Sequence, residues 1–136
     1  MMPFIRPNDT VTIITQLEKK PDVGDIAIFS RNRTGKIFIH RIVAKRFDKF
    51  LFKGDNRFLS DGFVDQKDIF GLVGNVERNN RKVYFGVKKG QKIISLFSRL
   101  NFLTLYFFIS THVFGTGFAL SVFNYIEKLQ HFRSRI

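Results

Sequence analysis

Residues 37–61 read I-F-I-H-R-I-V-A-K-R-F-D-K-F-L-F-K-G-D-N-R-F-L-S-D. The opening of this stretch alternates like a strand. Phe38, His40 and Ile42 share one face, and Ile37, Ile39, Arg41 and Val43 share the other. Residues 50–53 read as a second strand, and Gly54-Asp55-Asn56 as the turn that ends it. The following loop can fold back over the strand that carries His40. That brings the Asp61 carboxylate near an imidazole, where it can fix the tautomer and stabilise the protonated form. Taken singly, each residue has a plain reading. A lone histidine on an apolar strand is more often a core or edge residue than a catalyst. Asp55 is a turn residue, and Asp61 before Gly62 is a loop cap. The whole stretch, read with the N-terminus, carries more.

Working outward towards the N-terminus, residues 26–29 form a strand opened by Gly24-Asp25, and residues 31–35 a hairpin turn. Residues 17–23 are polar, contain Pro21 and read as a loop. Residues 10–14, T-V-T-I-I, form a strand almost at the start of the chain. No charged leader with an apolar run precedes it, so no signal peptide is expected. The abrupt entry reads as a chain missing its beginning.

Working the other way, residues 64–68 suit a single helical turn. Residues 69–77 form a strand in which Gly71 and Gly74 imply a bulge or a close backbone approach. Asn79-Asn80 is a turn and residues 82–87 a returning strand. Short strands and hairpins up to residue 88 predict a mainly β domain, residues 1–88, with an appended helical tail, residues 89–136. Ile93, Ile94, Phe97 and Leu100 match helical spacing, and residues 102–126 carry no Asp, Glu, Lys or Arg. That run is long enough for a bilayer, which takes ~20 apolar residues. Ser110, Thr111, His112, Asn124 and the Gly115/Gly117 pair weaken it. Two short helices hinged at 115–117 fit as well, packed on the β domain or lying in the interface. Membrane association by this tail is favoured, with a cytoplasmic protein as the alternative. Basic residues flank the run on both sides (Lys88, Lys89, Lys92, Arg99; Lys128, Arg133, Arg135), so loop charge gives no orientation.

Composition sets the outer bounds. The 136 residues make one domain and an appendage, and a 44% hydrophobic share supports a core. Without cysteine there is no disulfide framework and no thiolate metal site. His40, His112 and His131 lie too far apart for metal-ligand spacing, and no cofactor is expected. A formal charge of +12 suits an anionic partner, nucleic acid or acidic lipid. The basic residues are scattered, however. Many of the 18 phenylalanines fall in the C-terminal third, which points towards lipid.

In these residues the chain resembles the S26 signal peptidases, in the archaeal and endoplasmic-reticulum branch that uses histidine as base. Four blocks carry the likeness in order: M-M-P-F-I-R-P-N-D-T-V at 1–11, similar to the family's S-M-x-P…G-D-x-V box; V-G-D-I-A-I-F at 23–29; I-H-R-I-V at 39–43; and F-K-G-D-N-R-F-L-S-D at 52–61, followed by K-D-I-F-G at 67–71. The resemblance covers residues 1 to about 77. It implies a curled, barrel-like β assembly of the signal peptidase/LexA type. It gives His40 the role of general base, Asp61 that of third triad member, and Asp55 a supporting, site-shaping place. Met1 and Pro3 match the box that follows the nucleophile, and Asn8 replaces the family's usual glycine, a mild change because Asn tolerates the left-handed backbone. The nucleophilic serine would stand immediately before Met1, outside this chain. A start placed too late is the favoured explanation, ahead of a cut fragment or a non-catalytic relative. Thr10 and Thr12 have nothing in the sequence to aim them at His40.

The implied activity is that of a serine endopeptidase cleaving exported polypeptide precursors at a membrane. Two rivals stand beside it: an inactive, peptide-binding membrane relative, and a basic β-barrel binding single-stranded nucleic acid through Phe and Lys/Arg. The last is disfavoured, because the phenylalanines sit mostly on core-facing positions or in the tail.

Overall fold

A computed structural model describes residues 3–15, 19–31, 35–84, 86–87, 90–113, 115, 117, 120–122 and 124–125. Expectations placed on Met1, Lys88, Lys89, Thr116, Lys128, His131, Arg133 and Arg135 lie outside the described residues, as do the centre of the 31–35 turn and part of the 17–23 loop.

The strands are β1 (Thr10–Ile14), β2 (Ile26–Ser30), β3 (Ile37–Arg46), β4 (Lys49–Lys53), β5 (Gly62–Asp65), β6 (Ile69–Arg78) and β7 (Arg81–Lys82), with helices α1 (Gln91–Arg99) and α2 (Phe102–Val113) after them. All pair antiparallel in one seven-stranded sheet of order β1-β6-β2-β3-β4-β5, with β7 beside β6. Short connections join β3 to β4, β4 to β5 and β6 to β7, neighbours in the sheet, as antiparallel pairing permits.

Alternation decides which side chains meet. Ala27, Phe29, Ile42, Phe50, Phe52, Val64, Ile69 and Leu72 gather on one face into a buried cluster, with Phe38 packed against it. Phe29 stacks on Phe52 with ring centroids 4.0 Å apart, across the intervening β3. Burying each such side chain stabilises by roughly 1.5–3 kcal/mol. Ile26, Val73, Val76, Val83 and Val87 form a second cluster.

The sheet is mainly β as expected but is open rather than barrel-like: β1 and β5 end the strand order and do not pair with each other. Closing a sheet requires matched strand tilt and stagger around the whole ring. Here β5 has four residues and gives way at once to a 3-10 turn at Gln66–Asp68, leaving little backbone to pair. The helical turn expected at 64–68 is thus displaced by an unforeseen strand at its start. Of the returning strand expected at 82–87, among the described residues only Lys82 pairs as strand, in β7 with Arg81.

Gly71 and Gly74 serve both purposes foreseen for them. The β1 register on β6 shifts past Gly74, and the β2 register shifts past Phe70, beside Gly71. A Cβ on Gly71 would stand 2.6 Å from Ile13 Cγ2 and 2.8 Å from the Ile14 carbonyl oxygen, so β1 lies where only glycine leaves room. At the N-terminus Asn8 adopts φ +68°. Asp9 then accepts the Arg6 amide at 2.8 Å and both Nε and Nη2 of Arg78, at 2.9 and 2.8 Å.

The tail begins helically, as its spacing implies. Among the described residues no single helix is long and apolar enough to cross a membrane; α1 and α2, bent by 77°, would suffice together by length and composition only. Ile93, Leu96, Phe97, Leu100, Phe102, Leu105, Phe108 and Ile109 are exposed along them.

Candidate functional site

The site is built where β3, the end of β4 and the start of β5 lie side by side. Arg41 faces Lys53 and Ile42 faces Phe52 across β3 and β4, and Phe52 faces Gly62 across β4 and β5. Continuing these registers puts Gly54 beside His40 and Lys53 beside Asp61, so His40 and Asp61 meet on a diagonal across the end of β4. The Asp61 amide donates to the Phe52 carbonyl at 2.8 Å, which pins Asp61 at the mouth of β5.

Across this narrow gap His40 Nδ1 stands 2.5 Å from Asp61 Oδ2. With a carboxylate as partner, Nδ1 carries the proton and donates it, leaving the lone pair on Nε2. Nε2 has no hydrogen-bond partner among the described residues. It rests over Gly54, where a Cβ would lie 3.2 Å from it. The His40 side chain is 12% exposed and that of Asp61 9%, so the pair is shielded but its outer nitrogen is reachable. Phe29 and Phe38 flank the imidazole, each with its ring centroid 6.2 Å away. The second Asp61 oxygen faces Arg57 Nη1 at 3.8 Å. The arrangement is a histidine oriented for proton transfer through Nε2, with a carboxylate behind it.

Asp55 does not meet the imidazole. It belongs to the other face of β3, where successive side chains alternate and Arg41 points away from His40. Arg41 Nε and Nη2 donate to the two Asp55 oxygens at 2.9 Å each, and Nη1 donates to the carbonyls of Gly24 and Gly86 at 2.9 and 2.8 Å. Both residues are fully buried. The guanidinium also lies over the Phe4 ring, 5.1 Å from its centroid, so the N-terminal segment is held to the strand that carries His40. Asp55 thus shapes the site from behind by fixing β3, as a partner of Arg41. Pro3 is buried in the same segment.

Thr10 and Thr12 lie on β1, three strands from β3 in the sheet order, about 14 Å at one strand spacing per step. Neither is aimed at the imidazole. His112, exposed on α2, contacts the Phe108 carbonyl at 2.8 Å and takes no part in the cluster. Among the described residues no group of three or more His, Asp or Glu stands close enough to hold a metal ion.

Three residues escape a reading of the sequence alone. Lys53 is 3% exposed and donates Nζ to the Ser98 carbonyl and to Asn101 Oδ1. Burial pushes its ammonium below the ordinary lysine range, and the nearby Asp55 carboxylate works against that shift. Thr104, also buried, donates to the Arg57 carbonyl at 2.9 Å, with the Asp55 carbonyl at 3.4 Å. The signal for Lys53 was a lysine at the end of an apolar strand facing Arg41. Thr104 and Asn101 gave none beyond being polar in an apolar run.

No family model, characterised protein or solved structure matches the chain.

Proposed function

We propose that this chain is a signal-peptidase-like serine endopeptidase of the histidine-base type, acting on exported precursor polypeptides at a membrane surface. His40 is the general base, Asp61 orients it, and Asp55 steadies β3 through Arg41. By the resemblance, the nucleophilic serine would stand immediately before Met1, and the test below supplies it. On this reading the fold is a variant of the signal peptidase/LexA type with its sheet left open.

The observation that carries the reading is the 2.5 Å approach of Asp61 to His40 Nδ1, with Nε2 left outward over Gly54. An amide needs a nucleophile, a general base and a group that orients the base. The pair supplies the second and third. The Phe4 ring over Arg41 holds the N-terminal segment to β3, on the face opposite His40. An extended substrate would add as a strand. The outer edge of β5, which begins one residue after Asp61, suits that role. The exposed apolar residues of α1 and α2 support attachment to lipid, which suits substrates delivered at a membrane.

The test uses the chain extended by a serine directly before Met1, mixed with a precursor bearing small residues at its cleavage site. Cleavage is expected, and is lost when that serine becomes alanine. An extended chain that leaves the precursor intact, or cleavage that survives the alanine change, overturns the proposal.

A further inference from the structure

The helical tail is tied to the site by polar bonds as well as by packing. The turn after β4 is closed by the Arg57 amide, which donates to the Gly54 carbonyl at 3.0 Å. One end of that turn, Gly54, lies under His40 Nε2. Its other end, Arg57, packs Cγ and Cδ within 3.1 Å of where a Gly54 Cβ would stand, and reaches on towards Asp61. The turn therefore sets both the floor under the base and one neighbour of the carboxylate. From the tail, Thr104 Oγ1 holds the Arg57 carbonyl at 2.9 Å, beside that of Asp55. One residue before the turn, Lys53 donates to Ser98 and Asn101 at the α1–α2 junction. The junction thus holds the residue before the turn through Ser98 and Asn101, and the far end of the turn through Thr104.

We propose that the α1–α2 junction is part of the scaffold of the site, and that Thr104 is a positioning residue for His40. The proposal rests on His40 as the base of the proposed peptidase. It gives the tail a second duty besides attachment: where the junction is held, the turn is held, and the imidazole keeps its outward nitrogen. A buried hydroxyl on the first turn of α2 has a clear alternative role, plain helix stability. The experiment therefore needs a readout that stability alone does not move.

That readout is the NMR signature of His40 in the full chain with nitrogen-labelled imidazoles. The wild type should show a single tautomer, protonated on Nδ1, with a downfield proton resonance from the bond to Asp61. Thr104→Val, which keeps shape and loses the hydroxyl, should lose that resonance and mix the two tautomers; Thr104→Ser should restore both. Ser95→Ala is the control, since Ser95 is a buried tail hydroxyl bonded within α1 to the Lys92 carbonyl. It should leave the His40 signals unchanged. In the serine-extended chain, Thr104→Val should lower kcat by about tenfold or more with KM little altered, as loss of a supporting bond does. If Thr104→Val does not fold, Thr104→Ala and Asn101→Ala read the same junction. A folded Thr104→Val protein with wild-type His40 signals overturns the proposal. Failure to cleave any precursor, with the His40 response intact, counts against the peptidase reading and leaves this one standing.

Discussion

Arg41 and Asp55 close a two-bonded fork on the face of β3 opposite His40, with both side chains fully buried. Two aspartates of one short stretch thus have different duties. Asp61 serves the imidazole and Asp55 serves the strand beneath it. Their loss should differ in kind.

Asp55→Ala leaves a buried guanidinium without its counter-charge, which typically costs about 3–5 kcal/mol. Asp61→Asn removes the carboxylate charge from a pair that keeps a hydrogen-bonding group, and should cost about 1 kcal/mol. Urea unfolding midpoints of the two variants check the order. Equal losses would contradict the division of labour.

Gly54→Ala tests the floor under Nε2. The new methyl would stand 3.2 Å from Nε2 and 3.1 Å from the Arg57 stem, tight enough that one of them must move. The fold should survive, because the stem is flexible. Catalysis by the serine-extended chain should fall several-fold, since relieving the clash at the imidazole shifts the base by a few tenths of an ångström. Unchanged cleavage would show that Nε2 does not work from this position.

Lys53 gives the alkaline pH dependence its sign. Its ammonium titrates lower in the folded protein than the ordinary 10.5, because burial penalises the charge. Between the lowered value and 10.5 the unfolded chain holds more protons, so stability rises with pH across that window. Below the window the cost of the buried charge is felt in full. Lys53→Met should flatten this rise. Urea midpoints of both proteins over the alkaline range check it, and a difference that does not vary with pH would contradict it.

Ser98 is the odd residue of the junction. Its hydroxyl is buried and has no hydrogen-bond partner among the described residues. Removing it leaves the Ser98 carbonyl, which accepts from Lys53, in place. Ser98→Ala should therefore stabilise, by about 1 kcal/mol, since an unsatisfied buried hydroxyl costs on that order. A lowered melting temperature would contradict this.

Much of the β domain was legible because its strands obey a simple period. Residues 10–14, 26–29 and 50–53 alternate or run apolar between clear turn residues, and each is a strand. Asn79 and Asn80, with φ +49° and +59°, make the expected turn. The strand at Gly62–Asp65 was not legible. Its four residues gain their form from pairing with β4, and nothing local demands it. The open sheet was not legible either, since closure depends on stagger between distant strands. At the site, the contact of His40 with Asp61 could be read from a strand and a returning loop. The attachment of Asp55 to Arg41 could not, because it needs the opposite face of β3 and the carbonyls of Gly24 and Gly86. Thr104 was hidden for the same reason: 47 residues separate it from the Arg57 carbonyl it holds.

The most direct measurement is a double-mutant cycle on precursor cleavage in the serine-extended chain, using His40→Ala, Asp61→Ala and the pair together. If the two side chains act as one unit, His40→Ala lowers kcat on the order of 10⁴-fold and the double variant is no worse. Losses that multiply, or a His40→Ala protein as active as its parent, would contradict the assignment of His40 as base and Asp61 as its partner.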